Sequence, residues 1–169
     1  MKTVKINKDK EYLIVVVAPR EKGDAYRTIM AGVIKAIDIV ESNAVTAVEK
    51  DNAGNWLPRV AKPNFVFLHN GVTSGALNYV IEAVNKIGPL IAGRGRYVSK
   101  RKQDMDIPLD GKYAESRWFD RAMLLEPDLI LLLDDGHYGM VGYAERKAQQ
   151  QGVPIHRVKI PYAPLSNKL

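Results

Sequence analysis

The chain has 169 residues, a formal net charge of +6 and a pI near 9.4. Hydrophobic residues make up 46 %, enough for a core, so disorder is excluded away from the ends and a single domain over residues 1–169 is expected. No apolar stretch approaches the roughly 18 residues of a membrane span, and the absence of cysteine excludes disulfides and thiolate metal sites.

Residues 1–10 are polar and lysine-rich and lack the apolar segment of a secretory signal, so the expected home is the cytoplasm and no membrane partner is expected. The segment TVKINKDKEYLIVV reads as a hairpin turning at residues 7–10. Its second half, YLIVVV at residues 12–17, is a continuous β-branched run that suits a strand covered on both faces. Ile29, Met30, Val33, Ile34 and Ile37 recur three or four apart, which predicts a helix over residues 26–39. AVTAVEKDNAGNWLPRV, residues 44–60, reads as a second hairpin turning at residues 51–54.

FVFL at residues 65–68 is the second central strand. Val80, Ile81 and Val84 predict a helix over residues 78–86, capped by Gly88. Residues 90–92 are a shorter strand candidate, followed by a polar loop at 94–112 that is too long to be a mere connector. Residues 115–125 form a third helix that stops before Glu126-Pro127. LILLL at residues 129–133 is the fourth strand, residues 142–151 a helix ending at Gly152, and residues 155–158 the last strand. Strand and helix alternating in this way imply parallel strands with right-handed crossovers and helices on both faces. The fold class is α/β, a Rossmann-like three-layer sandwich with a mainly parallel sheet and the two hairpins added.

Ligands of such sheets gather at the carboxyl ends of the strands. The segments that follow the expected strands are APREKGD, HNGVTSGA, GRGRYVSKRK and DDGHYGMVGY. Neither the dinucleotide glycine fingerprint nor a phosphate-loop lysine and serine is present. Asn70, Gly71, Thr73, Ser74 and Gly75 make the best anion cradle, since hydroxyls and backbone N–H groups can share a phosphate. The same turn also reads as a plain helix start capped by its serine, and both can hold at once. The guanidinium fork of Arg20 suits a phosphate or carboxylate. Arg94 and Arg96 open a run with Lys100, Arg101 and Lys102, five cations within nine residues. Binding of a small nucleotide there ranks ahead of simple solvation, and nucleic acid third, because Tyr97 is the only aromatic in the run. Asp134 and Asp135 suit ribose hydroxyls or the loop's own N–H groups better than a metal. Gly136, His137, Tyr138, Gly139, Gly142 and Tyr143 complete that loop. His69, His137 and His156 show no metal-ligand spacing, so no metal or cofactor is expected and structural roles are the default. For Trp118, stacking on a base, core packing and an oligomer contact stay open.

Four pieces of the chain carry a resemblance. VVVAPREKGDAYRTIMAGVIKAI, HNGVTSGALNYVIEAVNKIG, RWFDRAMLLEPDLILLL and DDGHYGMVGYAERKAQQQGVPIHRV occur in the order of the motifs of the SLOG superfamily. That Rossmann-like group includes the YpsA/YspA-like proteins, the DprA core and the Lonely Guy phosphoribohydrolases. The resemblance covers roughly residues 12–160 with an insertion near residues 44–62. This chain departs from the pattern in carrying Leu77 where the family has an aspartate, Tyr143 where it has a threonine, and Asp134-Asp135-Gly136 where the Lonely Guy enzymes have Pro-Gly-Gly. The resemblance implies a ligand-facing arginine at Arg20. It also implies an arginine, Arg117 or Arg121, paired with a glutamate, Glu145, in the manner of the enzymes. It further implies a homodimer or tetramer. The expected function is binding, without turnover, of a nucleotide-derived small molecule, ADP-ribose-type or cyclic, as a sensor or sequestering protein. The alternative is an N-glycosidase acting on a nucleoside monophosphate with Glu145 as its catalytic residue. The third reading is DprA-like binding of nucleic acid.

Overall fold

The structure is a computed structural model that describes residues 11–20, 25–46, 53–54, 64–72, 75–92, 97–105 and 111–162. In chain order the elements are β1 (Glu11–Val17), α1 (Tyr26–Thr46), β2 (Asn64–His69), α2 (Ala76–Ala92), β3 (Tyr97–Lys102), a 3₁₀ turn (Gly111–Tyr113), α3 (Ala114–Met123), β4 (Leu129–Asp134), α4 (Met140–Gln151) and β5 (Ile155–Lys159). The five strands form one sheet in the order β3-β2-β1-β4-β5, and every neighbouring pair is parallel. The protein is therefore an α/β Rossmann-like three-layer sandwich, as the alternation of apolar runs and amphipathic segments predicts.

The period of two along the strands separates the layers. Ile14 and Val16 of β1, Phe65 and Phe67 of β2 and Leu131 and Leu133 of β4 pack against α1 and α2. Val15 and Val17, Leu68, and Ile130 and Leu132 point the other way, onto Trp118, Phe119, Ala122 and Met123 of α3 and Ala144 and Ala148 of α4. Burial on both faces is why these runs are apolar throughout rather than alternating. Among the described residues, no helix is long and apolar enough to cross a membrane.

Three sequence expectations are corrected. Residues 90–92 are not a strand: α2 runs through Gly88 and Pro89 to Ala92. Ile87 is buried and Ile91, one turn on, packs against the same core, so the apolar stripe carries the helix past its glycine. The third strand is instead Tyr97–Lys102, inside the segment read as a polar loop. It pairs with β2 from Asn64↔Tyr97 to His69↔Lys102 and forms an edge of the sheet. Its charged side chains lie along the neighbouring surface, Lys100 donating to Asn85 Oδ1 at 3.1 Å and Arg101 to both carboxylate oxygens of Glu11 at 3.0 Å. Cations on an edge strand discourage pairing with another chain. Finally, helix α1 extends to Thr46, so a hairpin cannot begin at residue 44. The rest of that hairpin, apart from residues 53–54, and the whole turn at residues 7–10, lie outside the described residues.

The chain winds outward from β1 through β2 to β3, then returns to place β4 on the other side of β1. Helix α1 leaves β1 toward one face and α4 leaves β4 toward the opposite face. Such a reversal opens a crevice at the carboxyl ends of the two strands, the usual ligand position in open α/β sheets.

Candidate functional site at the β1/β4 switch point

Arg20 follows β1, Tyr138 follows β4, and both meet Glu115 in the first turn of α3. The Tyr138 hydroxyl donates to Glu115 Oε2 at 3.0 Å, and Arg20 Nε lies 3.5 Å from Glu115 Oε1. The Arg20 side chain is 56 % exposed and that of Glu115 24 %, so the pair is reached by solvent rather than sealed in the core. Helix α3 begins at this rim because it runs back from the carboxyl end of β3 to the start of β4. An acidic residue in the first turn also complements the positive end of the helix.

The turn after β2 joins the same rim through Gly75, whose φ of +82° only glycine adopts without strain and which packs directly on the Arg20 carbonyl. Two backbone donors among the described residues of that turn are engaged within it. Gly71 N–H donates to His69 Nδ1 at 3.1 Å and Val72 N–H to Asn70 Oδ1 at 3.0 Å. His69 is buried, and its pKa is held below the usual histidine value by that burial first, then by Lys100 and Lys102. A neutral imidazole accepting at Nδ1 carries its proton on Nε2. Beneath it, Gln103 N–H donates to the His69 carbonyl at 2.9 Å, and the buried Trp118 donates from Nε1 to the Gln103 carbonyl at 2.7 Å. Trp118 is thus a core residue that staples the end of β3, and its ring is not available for stacking on a base.

The turn after β4 is likewise self-satisfied at its tip. Asp134 Oδ1 accepts from Gly136 N–H and Asp135 Oδ1 from His137 N–H, each at 2.8 Å. The capping role weighed for these aspartates is the one the geometry displays. The His137 ring stacks on Tyr162, with centroids 3.8 Å apart. Gly139 stands at the start of α4 with no side-chain hydrogen bond capping the helix, and Gly142 faces open space within its first turn. Tyr143 turns inward instead. Its hydroxyl donates to Asp120 Oδ1 at 2.5 Å, and its pKa is raised by burial first and then by that hydrogen bond. Lys147 joins Asp120 at 3.6 Å, tying α4 to α3.

Glu145 is engaged by Arg157 of the edge strand β5, which also reaches Asp134 Oδ2 at 3.5 Å. The structure therefore gives Glu145 an ion-pair partner on the β5 side. Arg117 and Arg121 lie on α3, the former exposed. Thr73, Ser74, Arg94 and Arg96 lie outside the described residues. The segment carrying the two arginines does not follow a strand, as the sequence suggested. It lies between the end of α2 and Tyr97, which is level with Asn64 at the amino end of β2. A groove of about 480 Å³ between α2 and β3, lined by Val84, Gly88, Ala92, Tyr97 and Lys100, lies along the sheet edge and contributes nothing to the Arg20–Glu115–Tyr138 cluster.

Arg20 and Tyr138 were among the residues the sequence singled out; Glu115, which both contact, and Asp120 and Arg157, which hold Tyr143 and Glu145, were not. Glu115 carried a weak signal, an acid at a helix start; the other two had no motif to mark them. No protein-family model, curated protein or solved structure matches the chain.

Proposed function

We propose that the chain binds a nucleotide-derived small molecule in the crevice between the carboxyl ends of β1 and β4 and holds it without turnover, as a sensor or sequestering protein. One observation carries the reading: the loops after two strands on either side of the topological reversal send a guanidinium and a phenol to a single, partly exposed carboxylate. Arg20 meets Glu115 through Nε at 3.5 Å, a loose contact from which an arriving phosphate can draw the guanidinium fork. The start of α4 carries no side-chain cap, although Val141 N–H donates to the Tyr138 carbonyl at 3.3 Å, and it presents the positive end of a twelve-residue helix. The donors at residues 71, 72, 136 and 137 are satisfied within their own turns. In this proposal the phosphate contacts come from Arg20 and the region of Gly139 to Gly142.

The resemblance to SLOG domains belongs to the same proposal, and so does a homodimer or tetramer paired through helices, which light scattering measures directly. The N-glycosidase alternative is less well supported, because it needs Glu145 at the crevice and Glu145 is held by Arg157. Titration calorimetry against nucleoside 5′-monophosphates, ADP-ribose isomers and cyclic dinucleotides tests the binding reading. Saturable heat with at least one probe, abolished in Arg20→Ala, is the expected result; no binding across the panel overturns it.

A further inference from the structure

We propose that Glu115 is the group that reads the sugar, accepting the 2′- and 3′-hydroxyls of an open ribose, so that the ligand class is a ribonucleotide with a free cis-diol. This rests on the binding reading above. The two carboxylate oxygens have different surroundings. Oε2 is fixed by the Tyr138 hydroxyl at 3.0 Å, which orients the group. Oε1 faces Arg20 Nε at 3.5 Å, well beyond the 2.7–2.9 Å or so of a tight charge-assisted hydrogen bond. The contact is thus loose, and it sits on a side chain that keeps a quarter of its surface open.

An anion arriving at the crevice competes with Glu115 for Arg20. When a phosphate takes the guanidinium, Oε1 loses its cation and becomes an ionised acceptor facing the space the phosphate's own sugar must occupy. Two adjacent hydroxyls satisfy it, and a carboxylate can accept both at once. Dinucleotide folds place an acidic residue against the ribose for the same reason, but at the end of the second strand. That position here is occupied by His69 and Asn70, whose Nδ1 and Oδ1 are bound to their own turn. The acid comes from the start of α3 instead. A 3′,5′-cyclic nucleotide offers one hydroxyl where two are needed, and a 2′-deoxynucleotide leaves a partly buried acceptor unpaired.

The test is titration calorimetry of the whole chain with AMP, GMP, CMP and UMP, their 2′-deoxy counterparts, 3′,5′-cyclic AMP and ribose 5-phosphate. Loss of a hydrogen bond to a charged acceptor weakens binding about ten- to a hundredfold. The wild-type protein is expected to prefer the best ribonucleotide over its deoxy form by that factor and over the cyclic form by at least as much. Glu115→Gln, which retains a carbonyl for Tyr138, is expected to bring the ribo-to-deoxy ratio below about threefold. Ribose 5-phosphate separates sugar recognition from base recognition, since it retains the diol without the base. Equal affinity for ribo and deoxy forms in the wild type overturns the inference while leaving nucleotide binding intact, and that comparison needs no variant to fold. A ribo preference that persists in Glu115→Gln overturns it too. If none of these probes binds, this assignment falls, and the binding reading falls with it if the ADP-ribose isomers and cyclic dinucleotides also fail to bind.

Discussion

A methyl group on Gly75 would sit 1.9 Å from the carbonyl oxygen of Arg20, with backbone rather than a flexible side chain as the obstacle. The turn that starts α2 and the turn that ends β1 are therefore interlocked, and Gly75 has a φ of +82° as well. Gly75→Ala combines left-handed strain with a steric clash and is expected to destabilise the fold by about 2–3 kcal/mol. Urea unfolding followed by circular dichroism measures it. A loss below about 0.5 kcal/mol would mean that the two turns are not locked together.

Gly142 is the converse case. It stands inside α4 with nothing within 4 Å of a Cβ. Alanine has the higher helix propensity, so Gly142→Ala is expected to stabilise the protein by about 0.5–1 kcal/mol. If a ligand phosphate approaches the start of α4, the same methyl group obstructs it. Stability and affinity then move in opposite directions in one variant, which a purely structural glycine would not produce. Thermal unfolding and calorimetry on the same preparation settle it.

Much of this architecture is visible in the sequence because three strands are covered on both faces and must be apolar at every position. Residues 12–17, 65–68 and 129–133 announce themselves for that reason, and the observed β1, β2 and β4 contain them. The edge strand is hidden by the opposite physics. Lys100, Arg101 and Lys102 can reach solvent and polar neighbours from β3, so the segment reads as loop. The apolar residues just before it mislead, because Ile91 continues the stripe of α2 rather than starting a strand. At the rim, Arg20 and Tyr138 are legible as residues that follow strands. Glu115 is not, because it reaches the crevice from a helix start beyond the segment misread as loop. Nor does the glycine-rich character of the turns reveal that His69, Asn70, Asp134 and Asp135 already engage the N–H groups of Gly71, Val72, Gly136 and His137.

Arg157 bridges Asp134 and Glu145, joining the end of β4 to α4 through the edge strand. More than a third of each partner in the Arg157–Glu145 pair is exposed, so screening by solvent limits its worth. Glu145→Gln is expected to cost no more than about 1 kcal/mol and to leave nucleotide affinity within about twofold of wild type. If incubation with a nucleoside monophosphate releases free base, and that release disappears in Glu145→Gln, the glycosidase reading replaces the binding one. Chromatography of the reaction mixture detects either outcome.

His69 sets a pH dependence whose sign follows from its burial. Its pKa in the folded protein is lowered by burial, with Lys100 and Lys102 adding to the effect and Asp104 opposing it. His156 in β5 is lowered too, by burial and then by Lys35. A histidine with a depressed folded pKa binds its proton more readily in the unfolded chain. Its stabilising contribution is complete above the unfolded value of 6.5 and is lost as the pH falls from there through the folded pKa. Protonation also puts a hydrogen on Nδ1, which can then no longer accept from Gly71 N–H. Unfolding midpoints measured at pH values from about 8 down to about 5 should therefore fall on acidification, beginning near the ordinary histidine range. The slope should be shallower in His69→Gln and shallower again when His156→Gln is added. Because the turn held by His69 leads to Gly75 and so to Arg20, any ligand at the crevice should weaken over the same window in the wild type more than in His69→Gln. A wild-type midpoint that is flat or rises over that window would show that His69 is not held neutral by its burial.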